Sequence, residues 1–114
     1  MRRLEPAATV TVMPYLVQIL LPLRDNADGP FPRDHYGRVR SDLTERFGGL
    51  TAHTRAPAQG LWEKGSTVER DDIVIFEVMA DALDRAWWAG YRRHLERLFR
   101  QDQIAVRAHA YEPL

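Results

Sequence analysis

An α+β fold of order βαββαβ is predicted by three features of the sequence. Two stretches, 32–47 and 82–100, repeat apolar residues at three- and four-residue steps, the period of a helix with one buried face. Four others, of strand length, alternate or run apolar, and they fall before, between and after the helical stretches. The pair Gly48-Gly49 stands where the first helical pattern stops and an alternating one begins. A chain of 114 residues builds one core and does not divide in two, so the expected organisation is a flexible tail over 1–13 and a single domain over 14–114.

The first strand is expected at Tyr15 to Leu23, with Tyr15, Val17, Ile19 and Leu21 as an unbroken apolar face. Turn formers crowd 24–30, and Pro32 suits the first turn of the helix that follows. Tyr36, Val39, Leu43 and Phe47 line its buried side, while Arg38, Asp42, Glu45 and Arg46 point outward, Asp42 and Arg46 as an i,i+4 pair. Gly48 supplies a left-handed stop, Leu50 to Ala56 alternates as the second strand, and Pro57 ends its ladder. Lys64-Gly65 lies between Leu61-Trp62-Glu63 and Ser66-Thr67-Val68, which reads as the tight turn of a projecting arm, so that the second and third strands form one long hairpin kinked at Ala56-Pro57. The third strand, Ile73 to Met79, is apolar on both faces except at Glu77, the mark of a central strand. Asp81 is the expected N-cap of a second helix from Ala82 to about Arg100, with Leu83, Trp87, Tyr91, Leu95 and Leu98 as its buried stripe. Gln103 to Tyr111 alternates as the fourth strand, with Ile104, Val106, Ala108 and Ala110 on one face and Arg107, His109 and Tyr111 on the other.

Composition excludes several functions. The apolar share of 45% and charged share of 28% are those of a soluble globular chain, and zero formal net charge gives no electrostatic pull toward nucleic acid or anionic membrane. The absence of cysteine removes disulfides, thiolate nucleophiles and Cys-ligated metals. The N-terminal stretch is too short and polar for a signal segment, and the run from Tyr15 to Leu23, broken by Gln18 and Pro22, does not span a bilayer. A cytoplasmic location is therefore expected. Gly48-Gly49 follows a helix and precedes a strand, the reverse of the order a phosphate-binding loop requires.

The order βαββαβ is the split-βαβ, ferredoxin-like arrangement, a four-stranded antiparallel sheet ordered 4-1-3-2 with both helices on one face. The other face then exposes apolar residues of the central strands, Leu16 and Leu20 on the first and Ile73, Ile75 and Met79 on the third. A patch of that kind marks an association surface, and a homodimer formed face to face is expected. Gln18, His53, Arg55, Glu77, Arg107, His109 and Tyr111 are the polar residues that can share this face. Glu77 is the sharpest anomaly: it reads either as a proton acceptor or as a carboxylate paired with Arg55, Arg107 or a partner's arginine. Its neighbour on the second strand is Ala52 if the hairpin pairs symmetrically about Lys64-Gly65, or His53 if a bulge intervenes, and one residue of slip reverses which side chains share a face. His53 and His109 fall on opposite edges, roughly 14 Å apart at about 4.8 Å per strand, so they ligate no common metal within one subunit, and no metal or cofactor is expected. Trp62, on the arm, is expected against the sheet rim, a partner subunit or a ligand; of Trp87 and Trp88, one belongs in the core and the other at a rim or interface.

The segments Leu43-Thr44-Glu45-Arg46-Phe47-Gly48-Gly49-Leu50-Thr51, Gly60-Leu61-Trp62, and Asp72 to Glu77 followed by Trp87-Trp88 resemble those of small uncharacterised bacterial proteins of the ferredoxin-like, dimeric α+β barrel type, over about residues 15–111. The wider superfamily implied by that resemblance includes cofactor-free monooxygenases, haem-degrading enzymes, lactone isomerases and ligand-sensing domains, but none of their catalytic motifs matches here residue by residue. The expected function is a dimeric small-molecule-binding or sensory module with a site between the sheets, drawing on Gln18, Arg55, Trp62, Arg107 and Tyr111. The alternative is a cofactor-free, monooxygenase- or isomerase-like enzyme with Glu77, His53 or His109 as base.

Overall fold

The computed structural model describes residues 13–55, 63–64, 67–68 and 73–114; the tail over 1–12 and Trp62 lie outside them. The elements, in order, are β1 (Tyr15–Pro22), α1 (Arg33–Phe47), β2 (Thr51–Arg55), β3 (Glu63–Lys64), β4 (Thr67–Val68), β5 (Ile73–Ala80), α2 (Arg85–Leu98) and β6 (Ala105–Ala110). The protein is an α+β fold of two helices and a four-stranded antiparallel sheet.

The core follows from strand parity. Val17, Ile19 and Leu21 on β1 stand opposite Val78, Phe76 and Val74 on β5, and all six are buried. Against them pack Val39 and Leu43 from α1 and Trp88, Tyr91, Leu95 and Phe99 from α2 and its end, so both helices cover the same face. Fully burying a Leu, Ile or Phe contributes roughly 1.5–3 kcal/mol, and this single layer is the main source of stability.

Helix α1 starts behind Pro32, without a side-chain cap, and ends at Gly48, whose φ of 86° lies in the left-handed region and whose N–H donates to the Thr44 carbonyl at 2.8 Å. The Tyr36 hydroxyl donates to the Pro22 carbonyl at 2.6 Å, tying α1 to the end of β1; burial pushes the Tyr36 phenol up to about 12.

Helix α2 departs from expectation at its start and in its phase. The N-cap is Asp84, not Asp81: its carboxylate accepts from the Trp87 N–H at 3.0 Å, and the helix begins at Arg85. The buried stripe is Trp88, Tyr91 and Leu95, continued by Phe99 just past the helix, rather than Leu83, Trp87 and Leu98, which are only partly buried. Leu83 precedes the helix; Tyr91 and Leu95 hold their expected places, and the stripe is shifted by one residue at Trp88 and at Phe99.

The four long strands lie in the order β2-β5-β1-β6; numbered among themselves this is 2-3-1-4, which listed from the β6 edge is 4-1-3-2. The expected kink at Ala56-Pro57 lies outside the described residues, but the two ends of the expected hairpin do not share one register. β3 and β4 form their own two-stranded ladder, with Glu63 opposite Val68 and Lys64 opposite Thr67, so Lys64 belongs to the ladder and not to the turn in which it was expected. Carrying that register down the hairpin would set Arg55 opposite Phe76, but it pairs with Ile73. The same three-residue offset places Glu77 opposite Thr51, neither Ala52 nor His53.

Candidate functional site

The face of the sheet turned away from the helices carries a polar row set in apolar surroundings. The register aligns Thr51, Glu77, Gln18 and Arg107 across β2, β5, β1 and β6 at one level. Side chains join along it: the Gln18 amide Nε2 donates to Glu77 Oε2 at 2.6 Å, and Arg107 Nε donates to Gln18 Oε1 at 2.8 Å. The amide has only one orientation that serves both neighbours, because a carboxylate accepts and a guanidinium donates. His53 lies two residues along β2 from Thr51, hence diagonal to Glu77 on the same face, with Nε2 3.6 Å from Glu77 Oε2. The Glu77 side chain retains 20% of its exposure and that of His53 47%, so the pair sits at the surface and not in the core.

Apolar residues flank the row on both sides. Leu16 and Met79 stand opposite each other on one side and Leu20 and Ile75 on the other. Met79 is 64% exposed, whereas Ile75 is buried outside the helix-side cluster. His109 pairs with Leu16 in the level beside Arg107, on the edge strand opposite β2. The Tyr111 N–H donates to the Pro14 carbonyl at 3.0 Å, extending the ladder beyond β6. The backbone of Arg55 pairs with Ile73, a level further from Glu77 than His53. Of the residues singled out from the sequence, the structure thus brings Gln18, His53, Glu77 and Arg107 together, with His109 next to them. Among the described residues, no group of three or more His, Asp or Glu is disposed to hold a metal, and no helix is long and apolar enough to cross a membrane.

Surface clefts on the helix layer were not foreseen. One, of about 400 Å³, runs between α1 and α2 and is bordered by Arg38, Asp42, Arg46, Trp87, Tyr91 and His94. Trp87 stacks on Tyr91 with ring centroids 4.8 Å apart, Tyr91 on His94 at 5.7 Å, and the Arg46 guanidinium lies 4.2 Å from the Trp87 centroid. The Tyr91 hydroxyl donates to Asp42 Oδ2 at 3.1 Å. Burial first, and then the Asp42 charge, raise the Tyr91 phenol far above its ordinary value. Asp42 therefore reaches across to α2 instead of pairing with Arg46, which approaches Asp84 Oδ2 at 3.6 Å. The signal that could have found this contact is Tyr91 itself, since a buried phenol needs a partner. Another cleft, of about 470 Å³, lies between the β1–α1 loop and the end of α2, where His35 and Phe31 meet the Phe99 ring edge-on at 5.4 and 5.1 Å.

No described protein family and no curated protein matches this sequence. Solved structures are similar in fold. A phage SAM lyase in complex with S-methyl-5'-thioadenosine aligns over 90% of this chain and 84% of its own at 11% identity and a TM-score of 0.54. A phage SAM lyase in its apo state aligns over 96% and 86% at 13% identity and 0.55. A CutA1 variant from Pyrococcus horikoshii OT3 aligns over 88% and 85% at 14% identity and 0.51. Identities this low carry the fold and nothing of the chemistry.

Proposed function

We propose that the chain is a self-associating, small-molecule-binding or sensory module: a ferredoxin-like domain over 14–114 whose open sheet face packs against a second copy, as in dimeric α+β barrels, with a ligand held between the sheets. The observation that carries this reading is the row of Arg107, Gln18, Glu77 and His53 lying in an apolar face that the helices leave uncovered. An apolar surface with a few convergent polar groups is the composition of a ligand site, and burial of that surface is the driving force for association. Arg107 and Gln18 are the groups placed to orient a ligand, with the end of β6 at Tyr111 at the periphery.

The second reading is a cofactor-free enzyme acting by proton transfer, favoured by the approach of His53 Nε2 to Glu77 Oε2, with Glu77, His53 or His109 as base. Light scattering at micromolar concentration is expected to give twice the chain mass of 13.2 kDa, and a thermal-shift screen a ligand that raises Tm. The screen includes S-methyl-5'-thioadenosine, because a similar fold holds it in the phage lyase. A monomer at every concentration, with no stabilising ligand, refutes the module. Turnover lost in Glu77→Gln, His53→Ala or His109→Ala without unfolding would favour the enzyme.

A further inference from the structure

We propose that Arg107 of one protomer pairs with Glu77 of the partner subunit, and that this crossed pair sets the two-fold axis of the dimer. The inference rests on the self-association proposed above and adds the contact that directs it. Both contacts to Glu77, from Gln18 and from His53, fall on Oε2; among the described residues, Oε1 receives none. Arg107 commits only Nε, to Gln18, and among the described residues its two Nη groups make no hydrogen bond or ion pair. The row therefore presents an open acceptor on β5 and open donors on the β6 edge. They stand two strands apart, about 9.6 Å, with the neutral Gln18 between them, so the two charges of one protomer do not meet each other.

Two facing sheets related by a two-fold axis have that axis in the plane between them. An axis running across the strands, along the row, lays Arg107 over Arg107 and Glu77 over Glu77, a like-charge arrangement. An axis running along the strands exchanges the ends of the row, so that the β6 edge of one copy faces the β2–β5 side of the other. Packed sheets lie about 10 Å apart, a gap an extended arginine and a glutamate span together. The pair would then be charge-assisted on Oε1 and the Nη groups, and it would remove the cost of covering a carboxylate that still has an unfilled acceptor.

The test mixes two full-length charge-reversal variants, Arg107→Glu and Glu77→Arg. Each alone is expected to dimerise at least about tenfold more weakly than wild type in a dilution series followed by light scattering, because like charges then meet across the interface. Mixed in equal amounts they are expected to form a heterodimer, seen by native mass spectrometry with one chain mass-tagged, since each chain supplies the charge the other lacks. Each chain in that mixture keeps its own mismatched row, so recovery reports the contact between subunits and not repair within one. Dimeric wild type with no heterodimer preference overturns the crossed pair and leaves self-association standing; monomeric wild type overturns both. Should circular dichroism show a reversed chain unfolded, the neutral variants Arg107→Gln and Glu77→Gln take its place. The double variant is then expected to dimerise no more weakly than either single one, and fully additive losses would overturn the pairing.

Discussion

Removing the Tyr91 hydroxyl tests the contact that joins the two helices. In Tyr91→Phe the ring keeps its stack on Trp87, 4.8 Å away and 13° from parallel, so the change is confined to the bond from the hydroxyl to Asp42 Oδ2. A hydrogen bond to a charged acceptor contributes about 1.5–3 kcal/mol, and because Asp42 is only half-buried the lower end applies, about 1.5 kcal/mol. With an unfolding entropy of about 2.1 cal/mol/K per residue, a domain of 114 residues should lose roughly 6 °C in Tm. The assay is urea and thermal unfolding of Tyr91→Phe, Asp42→Ala and the double variant, with a coupling of about 1 kcal/mol expected from the cycle. A Tm within about 1 °C of wild type for Tyr91→Phe, together with a coupling under about 0.3 kcal/mol, would refute the reasoning.

Asp84→Ala should cost about 1 kcal/mol because the carboxylate caps the Trp87 N–H, while Asp81→Ala should stay within about 0.5 kcal/mol; chemical denaturation of both compares the two caps directly. Gly48→Ala should lose about 1 kcal/mol from backbone conformation alone, since φ is 86° and nothing lies within 4 Å of the added methyl, and Gly49→Ala should lose less. Tyr36 has a folded pKa raised above its ordinary 10.0 to about 12, so its contribution is complete below pH 10 and is lost as the pH rises toward 12. Alkaline unfolding should steepen across that window, and Tyr36→Phe should lessen the slope in a Tm-versus-pH series, leaving the part that the raised Tyr91 phenol contributes.

What could be read in advance was whatever depends on local period. Val39 and Leu43 occupy the stripe of α1, and Val17, Ile19 and Leu21 the covered face of β1, because spacing alone sorts them. The phase of α2 was harder to read: Trp87 and Trp88 are equally apolar, so either completes a stripe with Tyr91 and Leu95. The choice falls to the Asp84 cap and to Phe99, which is fully buried among Phe31, His35 and Tyr36 beyond the last helical turn. The level at which Glu77 meets its neighbours was not legible, because the register of β2 against β5 is offset by three residues from that of the arm. Alternation told which face Gln18 and Arg107 occupy, but their alignment with Glu77 comes from hydrogen-bonded ladders that the sequence does not encode locally.

The position of Glu77 within β5 shows what the open face requires. Moved one place either way, to 76 or 78, a carboxylate would sit among the fully buried side chains that the helices press on, where desolvation would cost several kcal/mol. At 77 it keeps 20% of its exposure and a close amide donor in Gln18. Gln18 in turn stands on β1 between two apolar residues of the same face, Leu16 and Leu20, where a leucine would complete a continuous apolar stripe. A central strand that breaks such a stripe with one amide gives up apolar area in order to hold a carboxylate and a guanidinium at fixed positions two strands apart. That exchange gains nothing for the helix-side core, whose members all lie on the opposite face. On the reading proposed above, the row is accounted for by what meets the sheet from outside.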